Sequence, residues 1–213
     1  MTDRDDEQLD GGATTPAEAL AAIRASQEAV RDQTRPDSTR MFVVWGVAYL
    51  VAYVALYLGF DREGQTPGGW SLAVLGVSVV AAMAYTAVHI TRRTSGIRGS
   101  SAMVGRMFGW AWVLGFGFAA VIVGSVAAAG APPLAVSILA NAVFLLVVAA
   151  LYMAGGALWR EWPMFVLGAW FAVTGAVAAI VTPPNGYLVQ AVAGGGGFLV
   201  AALATALLAR REA

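Results

Sequence analysis

Six stretches of the chain are almost wholly apolar: about 41–60, 70–91, 106–129, 133–157, 163–182 and 186–209. Each reaches the roughly 20 residues a helix needs to cross the ~30 Å hydrocarbon core of a bilayer. Beyond Arg106 at the very start of the third, none holds Asp, Glu, Lys or Arg. In lipid a backbone must satisfy its own hydrogen bonds, and a helix does so within one segment. The pattern therefore predicts an all-α integral membrane protein with six transmembrane helices, a domain over residues 40–211. The first 40 residues are too polar and too long to start a cleaved signal peptide, so the N-terminus is expected to stay in place.

The polar breaks alternate in kind. One set carries arginine: the N-terminal tail, the segment 92–106 with Arg92, Arg93, Arg98 and Arg106, then Arg160, then Arg210 and Arg211. The other set, 61–69, 130–132 and 183–185, holds only Arg62. Arginine collects on the cytoplasmic side of membrane proteins, so both termini are expected in the cytoplasm. Trp159 and Trp162 flank the short cytoplasmic turn, while Trp70 and Tyr187 fall at the outer ends of spans two and six. Such rings favour the headgroup level.

Three outward spans begin alike, with "RMFVVWGVAY" from Arg40, "RMFGWAWVLG" from Arg106 and "PMFVLGAWFA" from Pro163. Each then meets a Pro/Gly turn ("QTPGGW", "GAPPLA", "VTPPNG"), and each return span ends in a basic cap. The unit is a helical hairpin of roughly 50 residues, and a fixed period of this size is a repeat signature. Any six-span protein also shows basic ends inside and turns outside, so triplication and common topology both fit. The layout, with its outer prolines, is similar to that of HdeD-like acid-resistance membrane proteins, which are six-span hairpin repeats. The resemblance implies three hairpins and adds no site residue.

Aligned at their methionines, the copies differ. Span one places Trp45, Tyr49, Tyr53 and Tyr57 at spacing four, an aromatic ridge along one face. Span three has Ala111, Gly115, Ala119 and Val123 there, and span five has Gly168, Ala172, Ala176 and Ile180. Membrane helices pack closely over small residues, so the ridge is expected to lie in the groove of span three or five. The rival is an aromatic-lined cavity for a cationic or flat apolar ligand.

Span six contains Gly194, Gly195, Gly196 and Gly197 in a row. They suit a tight helix contact on the face of Ala193, Gly197, Ala201 and Thr205, or an unwound segment beside a cavity. Polar side chains at depth are Ser78, Tyr85, Thr86, His89, Ser125, Ser137, Asn141 and Thr174. Asn141 is expected to hydrogen-bond across a helix interface. His89, the lone histidine, is a candidate pH-sensitive group because histidine titrates near neutrality. Arg92, Arg93, Arg98 and Arg106 are candidate contacts for anionic lipid headgroups.

Residues 1–14 are acidic and turn-rich and read as a disordered tail, whose Asp3, Asp5, Asp6, Glu7 and Asp10 could fold onto the basic segment. Within 15–35, Thr15, Pro16 and Glu18 make a capping-box start. Leu20, Ile23, Gln27 and Val30 then give a short amphipathic cytoplasmic helix ending before Pro36. It is expected to lie on the membrane or dock under the bundle.

Composition narrows function mainly by exclusion. Charged residues make up 12% of the chain, half the roughly 25% of a soluble domain. Acidic and basic residues balance at 13 each, which gives nucleic acid no field to follow. There is no cysteine, and every basic residue is arginine, so thiolate chemistry, lysine Schiff bases and a Walker A lysine are out. Arginine-only usage with abundant Ala and Gly suggests a GC-rich bacterial source. No catalytic motif, metal cluster or cofactor site is visible, and no ionisable residue lies deep in a span, which disfavours a coupled pump. The expected function is a non-enzymatic partner or regulatory subunit of the cell (inner, cytoplasmic) membrane. It would contact lipid headgroups and either another subunit or a second copy. The alternative is a small transporter or channel for a small, apolar or cationic solute.

Overall fold

The computed structural model describes residues 15–22, 24–25, 38–94 and 100–212. The expected acidic tail, Ile23, Gln27, Val30 and Arg98 lie outside these residues. Six helices are long and apolar enough to cross a membrane: α1 (Ser38–Leu58), α2 (Gly69–Thr94), α3 (Ser100–Ala128), α4 (Pro133–Trp159), α5 (Trp162–Val181) and α6. Helix α6 runs from Asn185 to Glu212 and includes a π-helical turn at Gln190–Gly194. The chain is thus an all-α, multi-pass membrane protein.

Two boundaries differ from the sequence reading. Helix α2 continues to Thr94 and α3 starts at Ser100, so Arg92, Arg93 and Arg106 lie on helices and not in a loop. Arginine is a good helix former, and no proline interrupts the stretch. At the other end of the bundle, the expected α1–α2 turn contains a small antiparallel pair, β1 (Phe60–Asp61) with β2 (Thr66–Pro67). The Asp61 side chain accepts the Glu63 N–H at 3.0 Å, and the Gly68 N–H donates to the Gly59 carbonyl at 2.8 Å, which closes the ribbon.

Prolines set the starts of α4 and α5, where a missing N–H costs nothing. Pro133 opens α4 and Pro163 sits in the first turn of α5. Between them Arg160 adopts the left-handed conformation (φ 56°), and its N–H caps the Gly156 carbonyl. The turn is tight because glycine lets the two helices touch backbone to backbone. A Cβ on Gly156 would lie 2.5 Å from the Phe165 nitrogen, and one on Gly168 would lie 2.7 Å from the Met153 nitrogen. The α4–α5 contact is accordingly the most extensive in the molecule.

The core lies among α1, α4, α5 and α6. Phe42, Leu145, Ala149, Tyr152, Leu167, Phe171, Phe198 and Ala202 form one cluster. Tyr53, Leu56, Tyr187 and Ala191 form a second, nearer the ribbon. Helix α1 packs on α6 and α2, and α3 packs on α4. In the 18-residue apolar stretch of each span, 33% of the residues are buried in α1, α5 and α6, but 11% in α2 and 6% in α3. Near the N-terminus, residues 16–22 and 24–25 are helical. The Thr15 N–H donates to Glu18 Oε2 (2.7 Å) and the Glu18 N–H to Thr15 Oγ1 (3.3 Å), a reciprocal capping box.

Candidate functional site

The polar groups inside the bundle gather between α1, α4 and α6, toward the ribbon end. Tyr49 and Tyr53 are one helical turn apart, and their rings approach to 4.5 Å. The Tyr53 hydroxyl donates to Asn141 Oδ1 on α4 at 2.9 Å. The Tyr49 hydroxyl donates to Gln190 Oε1 on α6 at 2.8 Å. Phe171 and Phe198 wall Tyr49 at 5.4 and 5.8 Å. Toward the ribbon, Tyr187 lies 6.2 Å from Tyr53 and 6.0 Å from Phe60. Ser137, one turn before Asn141, donates a long bond (3.4 Å) to the Gln65 carbonyl of the ribbon. A broken line of polar contacts therefore runs from the ribbon into the apolar interior.

Gln190 is fully buried, and its Nε2 has no hydrogen-bond partner among the described residues. Exchanging the amide N and O would not cure this. Nε2 would then face the Tyr49 hydroxyl, and Oε1 would be left over. An unmet buried amide group costs about 1–3 kcal/mol. The same residue begins the π-turn, in which the Gly195 N–H reaches back to the Gln190 carbonyl. Such turns insert one residue into a helix and recur at functional sites. Trp170 Nε1 on α5 donates to the Ala193 carbonyl at 2.8 Å, which fastens the widened turn.

Four consecutive glycines follow from this geometry. A Cβ on Gly194 would sit 2.5 Å from the Tyr49 ring, and one on Gly197 would sit 2.7 Å from the Trp170 ring. Gly195 faces Leu50 more loosely at 3.2 Å, and Gly196 faces open space. The run lets α6 approach α1 and α5 while it accommodates the π-turn.

The remaining sequence-selected residues are dispersed. Trp45 turns to α2, where its Nε1 donates to Thr86 Oγ1 at 3.0 Å. Tyr57 is half-buried against the second core cluster. Thr205 bonds Thr39 at 2.9 Å, tying α6 to α1 at the arginine-rich end. His89 stacks on Tyr85 (5.7 Å) and lies with exposed Arg92 at that end, as does exposed Arg106 on α3. Side chains of Arg93 and Arg98 lie outside the description.

Two expectations are corrected. The aromatic ridge does not lie in a groove of α3 or α5. Two of the small positions serve α4, Gly115 facing Val147 and Gly168 facing Ala149 and Met153, while Ala172 and Ala176 are exposed. The ridge meets α6 instead, whose glycines offer closer backbone approach. Tyr187 is not a headgroup ring either. It is 3% exposed, because Phe60 of the ribbon covers it.

Recesses among the described residues lie on the outside of the bundle. One of about 410 Å³ lies between α1 and α2, and one of about 260 Å³ lies beside Arg106, Gly109, Trp110 and Val113 of α3. Neither is lined by the Tyr49–Gln190 group. Among the described residues no three His, Cys, Asp or Glu side chains form a metal-binding group.

Sequence reasoning passed over Gln190. The signal was there: a glutamine at the fifth position of an apolar span, four residues before the glycine run begins. Its proximity to the expected outer end hid it.

The chain matches no family model, and neither a curated protein nor a solved structure shows significant similarity to it.

Proposed function

We propose that the chain is a non-enzymatic partner or regulatory subunit of a bacterial cytoplasmic membrane. In this reading it is built of three helical hairpins, with both termini and the basic segment on the cytoplasmic side. One contrast carries the reading. The central helices are filled with side chains such as Phe171 and Phe198 (0% and 2% exposed), while α2 and α3 each pack mainly on one neighbour. Helix α3 also leaves Gly105, Gly109, Gly117 and Gly124 facing open space. Glycines on membrane helices favour close helix contact, so these positions suit another subunit or a second copy of the chain.

The absence of native cysteine makes the test direct. Single substitutions Gly109→Cys and Phe118→Cys on α3, and Val200→Cys on α6, are labelled with a photoactivatable cross-linker in native membranes. The expected result is a defined protein adduct from both α3 positions and none from Val200. Equal behaviour at all three positions overturns the reading.

One observation favours the small-transporter alternative: the orphaned Gln190 amide beside a π-turn. Flux of a small quaternary ammonium ion through proteoliposomes, abolished by Tyr49→Phe, would establish it over the first reading.

A further inference from the structure

The recess between α1 and α2 has a direction. Its walls are apolar or small, with Val44, Val47, Ala48 and Val51 on α1 and Ser78 and Ala81 on α2. Val47 is 54% exposed, so the groove opens sideways. At about 100° per residue, Arg40, Val44, Val47 and Val51 fall within roughly 60° of one another around α1. The same geometry aligns Ser78, Ala82, Tyr85, His89 and Arg92 along α2. The Trp45–Thr86 hydrogen bond fixes the antiparallel register. Counting five residues further along each helix brings Arg40 level with Thr91, beside Arg92. Beyond the lined part of the groove, each helix therefore carries an exposed arginine at about the same height.

Length supports one kind of occupant. From Val43 to Val51 the groove extends roughly 12 Å at 1.5 Å per residue, and Arg40 lies about one turn beyond it. Groove and arginine together cover about half of a ~30 Å hydrocarbon core, the depth of one leaflet. An apolar groove with two guanidinium groups beyond one end matches a lipid chain carrying an anionic headgroup. Arginine's planar fork suits phosphate oxygens.

We propose that the α1–α2 groove is a binding site for one anionic phospholipid, with an acyl chain along Val44–Val51 and its phosphate between Arg40 and Arg92. The site depends on membrane insertion alone and is independent of whether the chain is a partner subunit or a transporter. The stacked Tyr85–His89 pair lies on the same face of α2, between Ala82 and Arg92.

The test uses the full-length protein, delipidated in detergent and titrated with phosphatidylglycerol or phosphatidylcholine of identical acyl chains, read by native mass spectrometry. One phosphatidylglycerol per chain is expected to be retained in preference to phosphatidylcholine, with about fivefold selectivity from each arginine. The double variant Arg40→Gln/Arg92→Gln should remove the selectivity. Val47→Trp should fill the groove and weaken retention of both lipids. Arg160→Gln, at the α4–α5 turn, should change nothing. Equal retention of the two lipids, or a loss from Arg160→Gln as large as from the double variant, overturns the proposal. Should the double variant fail to fold, the surface substitution Val47→Trp decides alone, and unchanged retention there overturns the site.

Discussion

Helices α5 and α3 make the most instructive contrast in the molecule. Both carry small residues at the same repeat positions, and both are apolar along their length. Yet 33% of the residues in the apolar stretch of α5 are buried, and only 6% in that of α3. On α5, Gly168 lies against the backbone of α4, so that even a methyl group would collide. On α3, Gly115 meets only the side chains of Val147 and Leu151, and Gly117 and Gly124 face open space. Small residues permit close approach but do not compel it. In lipid there is no hydrophobic force to press one apolar helix onto another, so shape and polar contacts select the neighbours. Helix α5 gains those selectors from Trp170, which bonds α6, and from Phe171 in the central cluster.

The contrast can be broken by substitution. The largest effect is expected at Phe171→Ala, which opens a cavity among Tyr49, Tyr152 and Phe198 and should cost about 3 kcal/mol. Phe118→Ala on exposed α3 should stay within about 0.5 kcal/mol. Reversible unfolding in mixed micelles measures both, and equal losses would erase the distinction between centre and flank. Next comes Gly168→Ala, where overpacking should cost about 2 kcal/mol, against no loss for Gly117→Ala in the same assay. A smaller effect is expected for the hydrogen bond joining α1 to α4. A double-mutant cycle on Tyr53→Phe and Asn141→Leu should give a coupling of about 0.6–1.7 kcal/mol, and zero coupling would mean the bond does not select the pairing.

The smallest effect lies outside the bundle and sharpens the comparison by its exposure. The backbone N–H of Thr15, and then its hydroxyl, hold the Glu18 carboxyl below the ordinary value of 4.5. A lowered carboxyl pKa contributes stability above the unfolded value and loses it as pH falls through the folded one. Helicity around residues 16–22 should therefore persist above pH 4.5 and fade below it, with the bundle unchanged. Backbone carbon chemical shifts of labelled protein would follow this, and Glu18→Gln should abolish the pH response.

Much of the architecture was readable because lipid imposes simple rules. A long uncharged run must be a helix, so the spans at 133–157 and 163–182 stood out with their proline starts. Partner choice was not readable. The positions of Gly115 and Gly168 announce close packing without naming the helix they meet, and both turned out to serve α4. The ribbon at 60–67 escaped because two-residue strands carry no alternation, although Gly59, Gly64 and Gly68 marked a turn. Tyr49, Tyr53, Asn141 and the glycine run were singled out as separate features. What joined them was Gln190, and a single glutamine has no periodicity to betray it.

The bond between Tyr49 and Gln190 spans 141 residues of sequence, and that separation has a consequence for how the protein is made. Synthesis proceeds from the N-terminus at about 5–20 residues per second. Helix α1 therefore enters the bilayer on the order of ten seconds before α6 has been translated. Through that interval the Tyr49 hydroxyl lacks Gln190, while the Tyr53 hydroxyl gains Asn141 as soon as α4 follows. The helix that arrives first completes its native contacts last, so the newborn chain waits half-assembled, with α2 as its first companion.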